Sequence, residues 1–279
     1  MPEGNTIHRF ARIHTRDFGG RRVHVSSPQG RFAREAKKLE GRRFLRAEAY
    51  GKHLFHHWSG GLVVHVHLGM AGWFYPRPSP APEPRPTVRM RMETPRVTTD
   101  LIGPPTCELI PEFARRAVIA RLGPDPLRAD FDPRVAWDTL QKRPRRAIGD
   151  ALLDQRVLAG VGNIYRAEAL FLTGIHPLRP SGSVTAEEWD ALWRSVRRLM
   201  RRGIGQAEIR TTDAKEPVHP LSGRQPQEPF YVYQEEICRR CASPVREFPL
   251  SGRRMFACET CQPRAVRKRT RGSRKRSAG

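Results

Sequence analysis

Four cysteines, Cys238, Cys241, Cys258 and Cys261, constrain this chain more than any other feature. They read C-x2-C, sixteen residues, C-x2-C, so that two tight turns each present a pair of sulfurs to one tetrahedral ion. The spacing predicts a single structural Zn2+. The fifth cysteine, Cys107, stands apart and is expected to be a small buried hydrophobe. Four thiols given to a metal and one left over suit a reducing cytoplasm.

The metal block sits in positive charge. The 279 residues carry 51 Lys+Arg against 28 Asp+Glu, a formal net charge of +23. The excess is shared by both halves, so both are expected to face a polyanion, and a basic zinc ribbon points to nucleic acid. Only seven of the basic residues are lysines. Arg grips phosphate with a fixed fork, whereas Lys can also transfer a proton, so each Lys invites a role. No apolar run approaches the length of a membrane span, and no secretory signal precedes the first helix.

Residues 3–18 read as a helix, with Ile7, Phe10, Ala11, His14 and Phe18 on one stripe and Gly19-Gly20 as the stop. Short strand patterns follow to about residue 110. In Leu62–Leu68 the even positions are apolar, while Val63, His65 and His67 share the other face; these histidines are expected to be hydrogen-bonded near a site. Residues 76–86 hold six prolines and read as an extended loop. Gly123-Pro124-Asp125-Pro126 looks like a hinge, after which helices dominate. Thr185 to Glu188 is a capping box, and the stripe from Trp189 to Met200 places its tryptophans in a core. Residues 263–279 carry eight basic residues and no acidic one and read as a solvated tail.

Two short pieces carry chemistry. In Met1-Pro2-Glu3-Gly4, removal of Met1 would leave Pro2 with a free secondary amine, a good share of it neutral near neutrality and able to form an iminium with an aldehyde-level carbon. Glu3 beside it can move a proton. In Arg145–Glu168, Ile148, Leu152, Leu153 and Val157 suggest one helix. Gly160-Val161-Gly162 suggests a tight turn, and Asn163 opens a second helix. A fresh helix N-terminus after such a turn offers unpaired N–H groups to phosphate, gripping a backbone rather than reading bases.

Taken with YGKHLF at 50–55, HLGMAG at 67–72, RLGPDPL at 121–127, LLDQRVLAGVGNIYRAE at 152–168 and GRRMFACETCQ at 252–262, the opening MPEG resembles the Fpg/Nei family of DNA glycosylase/AP lyases. The likeness lies on the endonuclease VIII (Nei) side, nearest its second actinobacterial paralogue, and covers about residues 1–262. It implies an α+β chain: an N-terminal β-sandwich with flanking helices, then a helical helix-two-turn-helix domain and a zinc-finger β-hairpin. The divisions expected are 1–122 (catalytic sandwich), 123–231 (helix-two-turn-helix), 232–262 (four-cysteine zinc finger) and 263–279 (basic tail). The resemblance makes Pro2 the Schiff-base nucleophile and Glu3 the acid/base. Lys52 becomes an assisting and phosphate-contacting lysine, and Arg253 the hairpin arginine at the lesion phosphates. Asn163 and Arg121 become backbone ligands, and Met70 fills the gap left by the flipped nucleotide. Damaged DNA, double- or single-stranded, is the implied partner of a monomer associated with the nucleoid. No organic cofactor is implied.

The chain also departs from that family. Thr99 to Pro105 lacks the Arg-Phe pair of the formamidopyrimidine branch, which leaves Met70 as a thin wedge. That favours oxidised pyrimidines or ring-opened bases over oxidised guanine opposite cytosine. Arg254-Met255 stands where that branch commonly carries a small residue followed by Thr. A non-catalytic protein that binds damaged or single-stranded DNA on the same scaffold is the competing reading.

Overall fold

A computed structural model describes residues 2–206 and 208–264; most of the basic tail lies outside the described residues. Helix α1 (Gly4–Phe18) leads into β1 (His24–Ser26), α2 (Ala33–Leu39), β2 (Phe44–Tyr50), β3 (His53–Trp58) and β4 (Leu62–His67). Then follow β5 (Trp73–Pro78), β6 (Val88–Glu93), β7 (Val97–Ile102) and β8 (Thr106–Ile110). The strands form two antiparallel four-stranded sheets, ordered β1-β6-β7-β5 and β2-β3-β4-β8. Alternation buries Leu54, Val64 and Val66 of one sheet against Phe74, Met90, Met92 and Leu101 of the other, and α1 adds Ile7, Phe10 and Phe18. Cys107 is buried in this core, as expected of a small hydrophobe.

The alternation in β4 gives two faces, and both are buried: Val63, Val64, His65 and Val66 are all shielded from solvent. Its outer face is covered by α3 (Glu112–Ala120), which packs on it. The proline-rich stretch differs from the expected loop at its start. Pro76 and Pro78 belong to β5, an edge strand, where a missing N–H costs no ladder bond.

The second half is helical: α4 (Pro133–Gln141), α5 (Ile148–Ala151), α6 (Asn163–Leu172) and α7 (Ala186–Ile204). Thr185 and Glu188 close the capping box reciprocally on α7, and Trp189 is buried, with Trp193 half-buried beside it. The helix read through Val157 is shorter than expected. α5 ends at Ala151, because the Asp154 side chain accepts from the Arg156 N–H and the following backbone is used in a crossing to the first half. There Gly123 N–H donates to the Gln155 carbonyl at 2.8 Å and Ala159 N–H to the Pro124 carbonyl at 3.1 Å. The expected hinge at 123–126 is therefore pinned. The Asp125 carboxylate, buried, accepts from Gly51 N–H (2.8 Å) and Leu127 N–H (2.9 Å) and meets His8 Nε2 at 2.7 Å.

The last hairpin, β9 (Arg246–Leu250) and β10 (Arg253–Ala257), turns at Ser251-Gly252, both with positive φ. Met255, Phe256, Cys238 and Cys258 share one core with α6 and α7. Among the described residues no helix is long and apolar enough to cross a membrane.

Candidate active site

A cavity of about 290 Å3 opens where the two halves meet, lined by Pro2, Lys52, His67, Gly69, Met70, Leu153, Gln155, Gly162, Asn163 and Arg253. Of the sequence-nominated residues, Pro2, Lys52, Met70, Asn163 and Arg253 come together here, from five separate stretches of chain. Arg121 does not line this cavity. It is exposed at the end of α3, where its Nε donates to the Ala117 carbonyl.

Glu3 lies at the site's floor, fully buried. By backbone it is the N-cap of α1, yet its side chain caps α6. Its carboxylate accepts from Gly162 N–H at 2.9 Å, Ile164 N–H at 2.8 Å and Tyr165 N–H at 3.4 Å. The sequence reading left these helix-N-terminal groups free for phosphate; the structure assigns them to Glu3, since Gly162 brings no capping side chain of its own. The glycines make this approach feasible. A Cβ on Gly162 would lie 2.4 Å from the Glu3 carboxyl carbon, and one on Gly51 would lie 2.9 Å from the Ala159 Cβ. Gly4 N–H donates to the Gly160 carbonyl at 2.9 Å, fixing the amino-terminal segment against the turn.

Burial pushes the Glu3 carboxyl above the usual range, opposed by the Lys52 charge and by the three N–H groups. Burial pulls Lys52 down; Glu3 opposes this, and the Arg253 and Arg166 charges add to it. A raised acid and a lowered amine across one cavity bring the two proton affinities closer together, which suits proton exchange between them. Lys52 owes its place to the β2–β3 turn, held from below by the Gly51–Asp125 bond.

Asn163 reaches across to the zinc-block hairpin, its Nδ2 donating to the Arg254 carbonyl at 2.9 Å. Arg166, one turn on, is fully buried, donates to Gly149 O and to both Asn163 Oδ1 and Arg254 O, and is pulled down to about 10 mainly by burial. Sequence reading missed Arg166 as a hub, and also Glu168. The Glu168 carboxylate, buried on α6, accepts from the N–H groups of Tyr231, Val232 and Tyr233 and from Thr211 Oγ1. Their i, i+3 and i, i+5 offsets from Asn163 on an otherwise apolar helix were the available signal. Over the cavity, Arg253 Nη1 lies 3.5 Å from Met70 Sδ, and Met70 is 68% exposed at the loop tip after β4.

The four zinc-spaced cysteines converge, with their sulfurs all within 4.8 Å of one another. Tetrahedral zinc with Zn–S near 2.3 Å places thiolates roughly 3.8 Å apart, so the cluster fits such an ion. Gln262 anchors the block: its Nε2 donates to the Ile175 carbonyl at 2.8 Å and its Oε1 accepts from Cys258 N–H.

Where the Arg-Phe pair is absent, Asp100 is buried and holds Arg91 through a two-pronged pair at 2.7 and 2.9 Å. Its strand serves the sheet rather than a wedge.

The formamidopyrimidine-DNA glycosylase N-terminal domain matches residues 1–101, and the formamidopyrimidine-DNA glycosylase H2TH domain matches residues 122–214. "Endonuclease 8 1" of Mycobacterium tuberculosis is 48% identical over 269 residues, 94% of this chain and 100% of that protein. "Probable endonuclease 8 2" of Streptomyces coelicolor is 34% identical, with 94% of each chain covered. Identity is thus higher to the relative numbered one than to the relative numbered two. The Lactococcus lactis Fpg bound to DNA with an abasic site superposes with a TM-score of 0.76 at 22% identity, over 94% of this chain and 100% of that one, a likeness of fold. On these matches the chain belongs to the Fpg/Nei family, the bifunctional DNA glycosylase/AP lyases of base excision repair.

Proposed function

We propose that this chain excises oxidised pyrimidines and ring-opened bases through a Schiff base at Pro2 and then cuts the strand by β,δ-elimination. The observation that carries this reading is the meeting, in one cavity, of Pro2, Lys52, Asn163 and Arg253 above the capped Glu3 carboxylate. With Met1 removed, the Pro2 nitrogen attacks C1′ of a flipped nucleotide and the N-glycosidic bond breaks as the base leaves. Glu3 supplies a proton as the sugar ring opens. The iminium then withdraws electrons. Loss of the C2′ proton expels the 3′ phosphate, and a second elimination expels the 5′ phosphate. Lys52, close enough to Glu3 to perturb it, supplies positive charge at the phosphates and a group that can relay the proton.

Asn163 and Arg253 hold the flanking phosphates, and Arg121 extends the backbone path outside the cavity. Met70 enters the stack in place of the extruded nucleotide; the cost of flipping, a few kcal/mol, is offset by these backbone contacts. Zn2+ on Cys238, Cys241, Cys258 and Cys261 would fix the β9–β10 hairpin and hence Arg253, without entering the reaction. The iminium makes an organic cofactor unnecessary. We keep the four-part division at 122, 231 and 262 as a functional one, with a monomer acting on nucleoid DNA in the cytoplasm.

A panel of defined lesions in single-stranded, bubble and duplex oligonucleotides tests the substrate reading. Incision is expected at oxidised pyrimidines, with single-stranded or bubble DNA favoured because the wedge is thin. Excision of 8-oxoguanine opposite cytosine in duplex as efficient as in single strands would overturn it.

A further inference from the structure

A second set of polar side chains flanks the cavity and has no part in the chemistry above. On the face of the β2-β3-β4-β8 sheet turned away from the sandwich core, His53 Nδ1 lies 2.9 Å from His65 Nε2, and His65 Nδ1 lies 3.1 Å from Glu108 Oε1. The rings of His53 and His65 stack at 5.2 Å. Glu108 is an acceptor, so His65 carries its proton on Nδ1 and accepts at Nε2 from His53 Nδ1–H. This arrangement makes His53 Nε2 the acceptor nitrogen of a ring whose direction is fixed.

His53 borders the proposed DNA path. It follows Lys52 directly, its ring lies 5.0 Å from that of His67, and the charges of Lys52, His67 and Arg121 all act on it. Its cross-strand neighbours are Tyr50 on β2 and His67 on β4. Burial first, then His65, His67, Arg121 and Lys52, hold its ring neutral, down to about 3. Glu108 is the acidic partner of the chain, acting through His65. Positive charge from Lys52 and Arg121 acting on a histidine whose Nδ1 is held by a relay ending in a carboxylate describes a site suited to an anion at Nε2. Phosphate set beside His53, Lys52 and Arg121 offsets the neighbouring positive charges, and its own negative charge against the ring opposes the burial that is the first cause of His53 neutrality; the imidazolium so formed shares its load through His65 with Glu108.

We infer that His53 is a further contact to the DNA backbone, taking up a proton as it engages phosphate, with His65 and Glu108 as its positioning residues. This rests on the reading above that damaged DNA occupies the adjoining cavity. It joins the cavity's phosphate ligands to Arg121 in one track.

The test is calorimetric titration of the whole chain with a duplex carrying a tetrahydrofuran abasic analogue, at pH 6 and pH 8, in buffers of differing ionisation enthalpy. At pH 6 the unaltered chain is expected to take up close to one proton more than His53→Gln. His53→Gln is expected to bind about tenfold more weakly at pH 6 and within about twofold at pH 8, as for one proton-linked phosphate contact. His53→Lys restores affinity and abolishes the pH dependence, which a merely structural role would not do. Glu108→Gln moves the proton uptake to lower pH. Equal affinity and equal proton counts for the unaltered chain and His53→Gln at pH 6, with borohydride trapping on a duplex bearing a true abasic site intact, overturn this inference and leave the proposed function standing. An unaltered chain that neither binds nor traps overturns both.

Discussion

Gly162→Ala isolates the contact on which the site is built. The backbone at Gly162 has φ −121° and ψ −159°, extended values open to any residue, so alanine brings no backbone strain. By entropy alone the change would stabilise the fold by about 0.4–1 kcal/mol. The added methyl, however, would sit 2.4 Å from the Glu3 carboxyl carbon and 2.6 Å from Oε1, so the carboxylate must retreat by about an ångström. That breaks the 2.9 Å bond from Gly162 N–H and the 2.8 Å bond from Ile164 N–H. Hydrogen bonds to a charged group contribute about 1.5–3 kcal/mol each, so losing two gives a net loss of about 2–6 kcal/mol after the entropic gain. Glu3 is joined to Pro2, and a shift of about an ångström at a reacting centre costs about 100-fold in rate. Urea unfolding gives the first number, and single-turnover borohydride trapping on abasic DNA the second. A double-mutant cycle with Glu3→Ala then assigns the cause: Gly162→Ala should cost almost nothing once the carboxylate is gone. Gly162→Ala with unchanged stability and trapping, or with the same cost in the Glu3→Ala background, would refute the reasoning.

Asp125→Ala removes the acceptor for Gly51 N–H, Leu127 N–H and His8, and should cost about 3 kcal/mol and split one calorimetric unfolding transition into two. His14 and His56 form a buried pair at 3.0 Å, with both rings held neutral by burial, His14 down to about 3. Above about pH 6.5 the pair carries no pH dependence. As pH falls below that the unfolded chain gains protons the folded chain refuses, so urea midpoints should drop from pH 7 toward pH 4, and His56→Leu should flatten that slope. Cys258→Ser, or strong chelation, should remove the bound metal and weaken binding to abasic DNA at least tenfold, while far-ultraviolet dichroism of the sandwich persists. Elemental analysis of the unaltered chain should return one zinc per molecule.

What could be read directly from the residues followed rules of spacing. The C-x2-C pairs, the α1 stripe, the strands around Val64 and the Thr185–Glu188 capping box depend on local chemistry, and each stands where expected. Contacts between distant segments were less legible. Gly162 looked like an opening for phosphate because nothing in its own helix caps it; the cap arrives from Glu3, 159 residues earlier. Gly123 to Pro126 looked loose because its residues are turn formers, yet Asp125 is tied to a turn 74 residues away. Arg166 and Glu168 read as polar residues on a helix, and only the zinc block folding back over α6 makes them hubs. Nothing in β4 itself announces that α3 returns to pack on it.

The Pro2 nitrogen is the central claim, and peptide mapping after reductive trapping tests it most directly. The chain with Met1 removed is incubated with an oligonucleotide bearing one abasic site, reduced with borohydride, digested with nuclease and protease, and sequenced by mass spectrometry. We expect the deoxyribose remnant on the secondary amine of Pro2 alone. A remnant carried by Lys52, or no cross-link from a chain that binds the same oligonucleotide, would contradict that assignment.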